Sequence, residues 1–185
     1  MNALLRELAR ALGATAILSL LCCGAYPLLV TVAARVAFPD QAKGSVLRDA
    51  SGTIRGSRLL AQPFLAEGFF HPRPSAAGTG HDALASGGSN LGPTSERLRA
   101  LISERVLAYR QINGLATNAP VPADAVTASA SGLDPHISVA NALLQAPRVA
   151  KAHALSTEKV LERIRQHTTA NGTIVNVVTL NAALP

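Results

Sequence analysis

The sequence predicts an α+β protein: a single N-terminal transmembrane helix followed by one mixed α/β domain. One observation predicts the helix. From Ala11 to Ala34 the chain runs for about 24 residues without a charge, some 36 Å at helical rise, which exceeds a hydrocarbon core of about 30 Å. A second predicts the helices of the domain, where apolar residues recur at helical spacing behind serine caps. A third predicts its strands, which are short Val- and Ile-containing runs set among those helices without the regular spacing of βαβ units.

Arg6 and Arg10 precede the apolar run and Arg35 closes it. A cleaved signal peptide shares the basic start, but its apolar region is about 7–15 residues long with a small-residue exit. Thr31-Val32-Ala33 loosely imitates such an exit, yet the run is longer, and Gly24 and Pro27 lie inside it. The reading is a retained anchor, with Pro27 expected to bend its outer end. Ala11, Thr15, Ser19 and Cys23 recur every four residues and form a stripe of small side chains expected to meet a partner helix. Cys22 and Cys23 are adjacent, about 100° apart on the helix, and read as small apolar fillers rather than a bridge.

Basic residues flank the run about equally, with Arg35, Lys43 and Arg48 after it, so charge sets no orientation. Short N-terminal tails stay in the cytoplasm and long domains translocate regardless of charge. The expected layout is therefore a cytoplasmic tail over residues 1–10, a span over 11–36 and an extracytoplasmic domain over 37–185.

Within the domain, Ser45-Val46-Leu47 and Arg58-Leu59-Leu60 are expected strands. Phe70 to Pro93 is rich in turn formers, and so long a loop is functional or disordered. A helix is predicted from Thr94 or Ser95 to Asn113-Gly114, with Leu98, Leu101, Ile102, Val106, Tyr109 and Ile112 as its core face and Gly114 as its stop. Val126-Thr127-Ala128 is an expected strand, Ser138 to Ala146 a helix, and Pro147 the opening of another. Ser156 caps a helix with Glu158 in its first turn and Val160, Leu161 and Ile164 inward. Thr173 to Leu180 reads as a closing strand.

The net charge is +6. Setting aside Arg6, Arg10 and Glu7 leaves 15 basic and 10 acidic residues from Arg35 onward, a net of +5. No Lys/Arg block occurs, and outside the anchor the aromatics are Tyr109 and four Phe, so nucleic acid is not an expected partner. Ser86 to Pro93, glycine-rich and ahead of a helix, fits either an anion site or a tight structural turn. It lacks the Lys-Ser/Thr of a Walker loop. Ser129, Ser131, Asp134 and His136 bring the groups of a hydrolase close in sequence, yet no Gly-x-Ser-x-Gly elbow is present. Asp134-Pro135 suits an Asx turn or a helix cap instead. The five histidines show no zinc-ligand spacing, and His71 beside Arg73 reads as a surface or partner contact.

Four runs stand in order behind the anchor: Phe70-His71-Pro72-Arg73-Pro74-Ser75-Ala76, Ser86–Pro93, Val126–Ser138 and Gln145-Ala146-Pro147-Arg148-Val149-Ala150. Together they resemble the C-subunit family of the bacterial Kdp potassium-transporting P-type ATPases over nearly the whole chain, departing at His81, where a tyrosine is expected. The resemblance implies a non-catalytic accessory subunit of an ATP-driven potassium importer. Its implied partners are the channel-like potassium-translocating subunit, the ATP-hydrolysing subunit and a small single-span subunit. It gives the Ala11, Thr15, Ser19 and Cys23 stripe, His71, Arg73, Ser89 and Asn90 the role of docking surfaces. The family is described as raising the ATP affinity of the hydrolysing subunit, and Ser86-Gly87-Gly88 with Gln145 resembles an ABC signature loop, implying a nucleotide contact. Those residues lie outside the cell in the expected layout whereas ATP is inside, and both cannot hold for one orientation.

Overall fold

The computed structural model describes residues 2–49 and 51–185. The chain divides into two units with the boundary between Ser45 and Val46.

The first unit is helical. Helix α1 (Asn2–Ser19) passes through a π-helical segment, Leu20–Ala25, into α2 (Tyr26–Ala37), and a single turn, α3 (Pro39–Ala42), follows. Ala3–Ala37 is long and apolar enough to cross a membrane, with an 18-residue window of mean hydropathy 2.1. Pro27, following Gly24, is the expected cause of a bend at the outer end. The irregularity instead begins upstream: the Tyr26 amide reaches back five residues to the Leu21 carbonyl, the widened turn of a π-helix.

The second unit mixes helices with two separate two-stranded antiparallel sheets. Strands β1 (Val46–Arg48) and β2 (Ile54–Ser57) pair Val46 with Ser57 and Leu47 with Gly56, with an irregularity after Leu47. The Asp49 carboxylate staples their connection by accepting from the Ser51 hydroxyl and the Ser51 and Thr53 amides and by pairing with Arg55 at 2.8 Å. The expected strand at Arg58-Leu59-Leu60 is corrected: the strand ends at Ser57, where the Ser57 hydroxyl accepts from the Leu59 amide and turns the chain.

Helix α4 (Glu96–Ile112) begins where Ser95 predicts, its hydroxyl accepting from the Leu98 amide, and stops before Gly114 at φ +62°. Its expected inward face is half-buried at Leu98, Leu101, Ile102, Val106 and Tyr109 and is corrected at Ile112. None of its side chains is fully buried, and Ile112 is 49% exposed. The reason is its neighbour, the single turn α5 (Ala123–Val126), too small to cover 17 residues. That turn also replaces the strand expected at Val126-Thr127-Ala128, because the Thr127 amide and hydroxyl both bond back to the Ala123 carbonyl.

Strand β3 (His136–Ser138) leads into α6 (Val139–Ala152), then α7 (Thr157–His167), β4 (Ile174–Asn176) and α8 (Val177–Ala182). Two expectations are corrected here. Pro147 lies inside α6 and does not open a new helix. The carbonyl it deprives belongs to Leu143, which is 45% exposed, so water can take the place of the missing amide. The Thr173–Leu180 strand stops at Asn176, whose side chain accepts from the Val178 and Thr179 amides and starts a helix. Val177, Val178, Leu180 and Asn181 are then buried at helical spacing, so packing overrides the β preference of the valines.

The core is built by α6, α7, α8 and the β3–β4 pair around Phe70, which is fully buried. Ile137, Val149, Val160, Ile164 and Leu180 close on it, and each contributes about 1.5–3 kcal/mol by leaving water.

Candidate functional site

Between Arg58 and Ser95 the chain has turns but neither helix nor strand, so its backbone groups need partners outside a ladder. Two buried amide side chains supply them at Phe70 and His71. Asn181 of α8 accepts from the Phe70 amide at 2.8 Å and donates to the Phe70 carbonyl at 2.9 Å. Gln145 of α6 does the same for His71, accepting at 2.7 Å and donating at 3.2 Å. Each carboxamide thus stands in for a neighbouring strand.

Gln145 also opens a larger network. Its Nε2 donates to Asn141 Oδ1 at 2.8 Å, and its Oε1 accepts from Arg148 at 2.9 Å. With the two His71 bonds, both amide hydrogens and both oxygen lone pairs of Gln145 are used. Asn141 accepts from the Tyr109 hydroxyl at 2.8 Å and donates to Asp124 at 3.0 Å. Asp124 in turn holds the Ser138 amide at 2.7 Å and hydroxyl at 2.9 Å, fixing the residue that caps α6. Arg148 ties the network outward to Asn113 at 3.0 Å and to the Glu67 carbonyl. Burial, reinforced by the Asp124 charge, pushes the Tyr109 hydroxyl far above the range in which it would ionise, so it acts as a donor.

Over this network lies an open depression of about 240 Å³. His71, Arg73, His81, Arg105, Tyr109 and Gln145 line it, and Leu65 and Ile112, 83% and 49% exposed, also border it. Arg73 pairs with Asp134 at 3.2 Å and donates to the Ala128 carbonyl. Its Nε, together with His81 Nε2, is buried without a partner among the described residues.

Ser86, Gly87 and Gly88 lie elsewhere. The Ser86 hydroxyl and the Gly87 amide both donate to the Ser131 carbonyl, at 2.9 Å each, and Gly88 packs against the Ala130 backbone. Ser86 lines a separate depression with Ser129, Ser131 and Asp134, and Arg73 borders both. The structure therefore does not bring Ser86–Gly88 together with Gln145 in one cavity. Ser89 and Asn90 are exposed, Asn90 in the left-handed region at φ +53°. Ala11, Thr15, Ser19 and Cys23 are exposed along the helical first unit.

The hydrolase alternative finds no support in this geometry. Ser129 is buried, and the Ser131 hydroxyl accepts from the Leu133 amide. His136 meets Asp134 at 3.3 Å and Asn176 at 3.4 Å, with no serine on its ring. Asp134 accepts from the His136 amide, the Asx turn that the Asp-Pro pair predicts.

Sequence reasoning missed Asn181, Asn141 and Asp124. Asn176 could have been found, since Asn before Val-Val-Thr-Leu is a capping signal.

The family model described as "KdpC: K+-transporting ATPase, c chain" matches residues 8–185. The chain belongs to the KdpC family. A Mycobacterium bovis relative, named as a potassium-transporting ATPase KdpC subunit, is 53% identical over 165 residues, 86% of this chain and 87% of its own. A Rhodospirillum rubrum KdpC subunit is 48% identical over 187 residues, covering 98% and 96% of the two chains. One from a Caulobacter strain is 49% identical over 168 residues, covering 86% and 83%. The KdpC match takes in all four runs named above, from Phe70 to Ala150.

Burial, then the Arg148 charge, holds the His71 imidazole below its ordinary 6.5, against a raising hydrogen bond to the Ala66 carbonyl. Burial also lowers His81 and His167. The unfolded chain therefore binds more protons than the folded one, so this stability is complete above about pH 6.5 and is lost as pH falls through the lowered values. Urea midpoints taken from about pH 7.5 down to about pH 5 should decline, and less steeply in His71→Gln.

Proposed function

We propose that this chain is the accessory C subunit of an ATP-driven potassium importer, held in the bacterial inner membrane by its N-terminal helix. The observation that carries this reading is the KdpC match over residues 8–185, joined to a helix able to span a bilayer. The subunit contributes docking surface and not turnover. ATP belongs to the complex through its hydrolysing subunit, and potassium is the ion the complex moves.

Residues 1–10 form the cytoplasmic tail and the domain lies outside the cell, against the channel-like potassium-translocating subunit. His71 and Arg73 border the depression that receives this partner, with Ser89 and Asn90 presented on an exposed loop. Its exposed Leu65 suits a protein surface that brings an apolar contact. The hydrolysing subunit and a small single-span subunit complete the assembly.

Deleting the gene should abolish growth at limiting potassium, and a plasmid copy should restore it. Unimpaired growth and ATPase assembly without the subunit would refute the role. Orientation is read in a Cys22→Ser, Cys23→Ser background with one new cysteine at Ser89 or at Asn2. An impermeant maleimide on intact cells should label the first and spare the second; the reverse pattern would place the domain inside.

A further inference from the structure

Hydrogen-bond bookkeeping along the N-terminal helix leaves a gap. The Tyr26 amide turns back to the Leu21 carbonyl, Pro27 has no amide, and the α-helix resuming at Tyr26 takes the Leu29 amide to Ala25. Only the Leu28 amide remains, within helical reach of the Gly24 and Cys23 carbonyls and out of reach of Cys22. Three acceptors and one donor leave two carbonyls bare.

Their position makes this costly. The uncharged run Ala11–Ala34 is centred between Cys22 and Cys23, so the bare carbonyls sit at the middle of the span, where lipid offers no donor. The chain cannot cover them itself. Helix hydroxyls bond back to carbonyls three or four residues earlier, and the residues so placed are Ala25, Tyr26, Pro27 and Leu28. None is a serine or threonine, and the Tyr26 phenol is too long to fold onto its own helix. Cys22, Cys23, Gly24 and Ala25 carry small side chains and are exposed, so another backbone can approach closely.

We infer that a transmembrane helix from another subunit of the same assembly crosses this one at Cys22–Gly24. It donates a hydrogen bond to the bare carbonyls from a Ser, Thr, Asn or Gln side chain. The inference rests on the reading of the chain as an anchored transporter subunit. It adds a specified crossing point and the chemistry that fixes it. The stripe Ala11, Thr15, Ser19 and Cys23 leads up to the same level.

The native sequence permits a direct test. Ligation at Cys23, joining a synthetic segment ending in Cys22 to the rest of the chain, places a carbon-13/oxygen-18 label on the Cys22 carbonyl of the full subunit. Its infrared band is compared in the same bilayer for the subunit alone and for the assembled complex. A lower frequency in the complex is expected; an unshifted band overturns the inference. Pro27→Ala, which returns an amide to the row, should weaken retention of the subunit in the complex roughly 3- to 15-fold while membrane insertion is unchanged. Pro39→Ala, outside the apolar run, serves as control, and native retention in Pro27→Ala also overturns the inference. Failure of the native chain to co-purify with other subunits would instead refute the wider reading, and the proposed partner with it.

Discussion

Gln145→Ala is expected to destabilise the second unit by about 3–5 kcal/mol, lowering its melting temperature by roughly 8–15 °C. Truncation at Gln145 strips partners from the His71 amide, the His71 carbonyl, Asn141 Oδ1 and one nitrogen of Arg148, around a side chain only 1% exposed. Each buried group so abandoned costs about 1–3 kcal/mol, partly recovered where water enters. Gln145→Glu should fare little better despite its matching shape. A carboxylate cannot donate to the His71 carbonyl and Asn141 Oδ1, the two bonds made by Nε2. Calorimetry of the domain reads the loss. A fall in ATP affinity of the complex at a temperature where the domain is still folded would instead assign Gln145 to nucleotide.

Gly132→Ala should be comparably severe, at about 3 kcal/mol or more. Gly132 sits at φ +69°, and a Cβ there would meet the Ala77 Cβ, the Ala77 nitrogen and the Gly87 oxygen, each at 2.7 Å. Two of these are backbone atoms and have no rotamer with which to move aside. This residue is where the 75–88 loops cross the 129–133 turn: the Ser75 hydroxyl donates to the Gly132 carbonyl at 2.7 Å, and the Gly87 amide to Ser131. The variant should therefore speed hydrogen exchange at the Gly87 and Ala61 amides, which bond to Ser131 and Leu133. Gly92→Ala, with open space around its Cβ and no positive φ, should change neither stability nor exchange. Equal effects in the two variants would sink this account.

Legibility in the sequence followed distance along the chain. Ser95 and Ser156 cap helices through amides three residues away, at Leu98 and Lys159, and short-range signals of that kind are readable. Pro147 and the Thr173–Leu180 run misled because local preference was overruled, once by an exposed neighbour and once by the Asn176 cap and helical burial. The docking of His71 onto Gln145 spans 74 residues and that of Phe70 onto Asn181 spans 111. No periodicity encodes a carboxamide that replaces a strand. The resemblance to a family therefore marked the important runs without explaining what holds them.

The same two carboxamides set an order of events during synthesis. Phe70 and His71 emerge early, but the side chains that hold their backbone stand on α8 and α6, 111 and 74 residues later. Until α8 has been made, Phe70 has no carboxamide to settle onto, although Ala61, His71 and Gly87 can already meet residues 131–145. A nascent chain halted before α8 would leave the Phe70 backbone unpaired and its ring without Leu180, open to proteases and chaperones alike. Closure of the core around Phe70 thus waits for α8. A stop codon placed just ahead of α8 should be nearly as damaging as one in the middle of the domain.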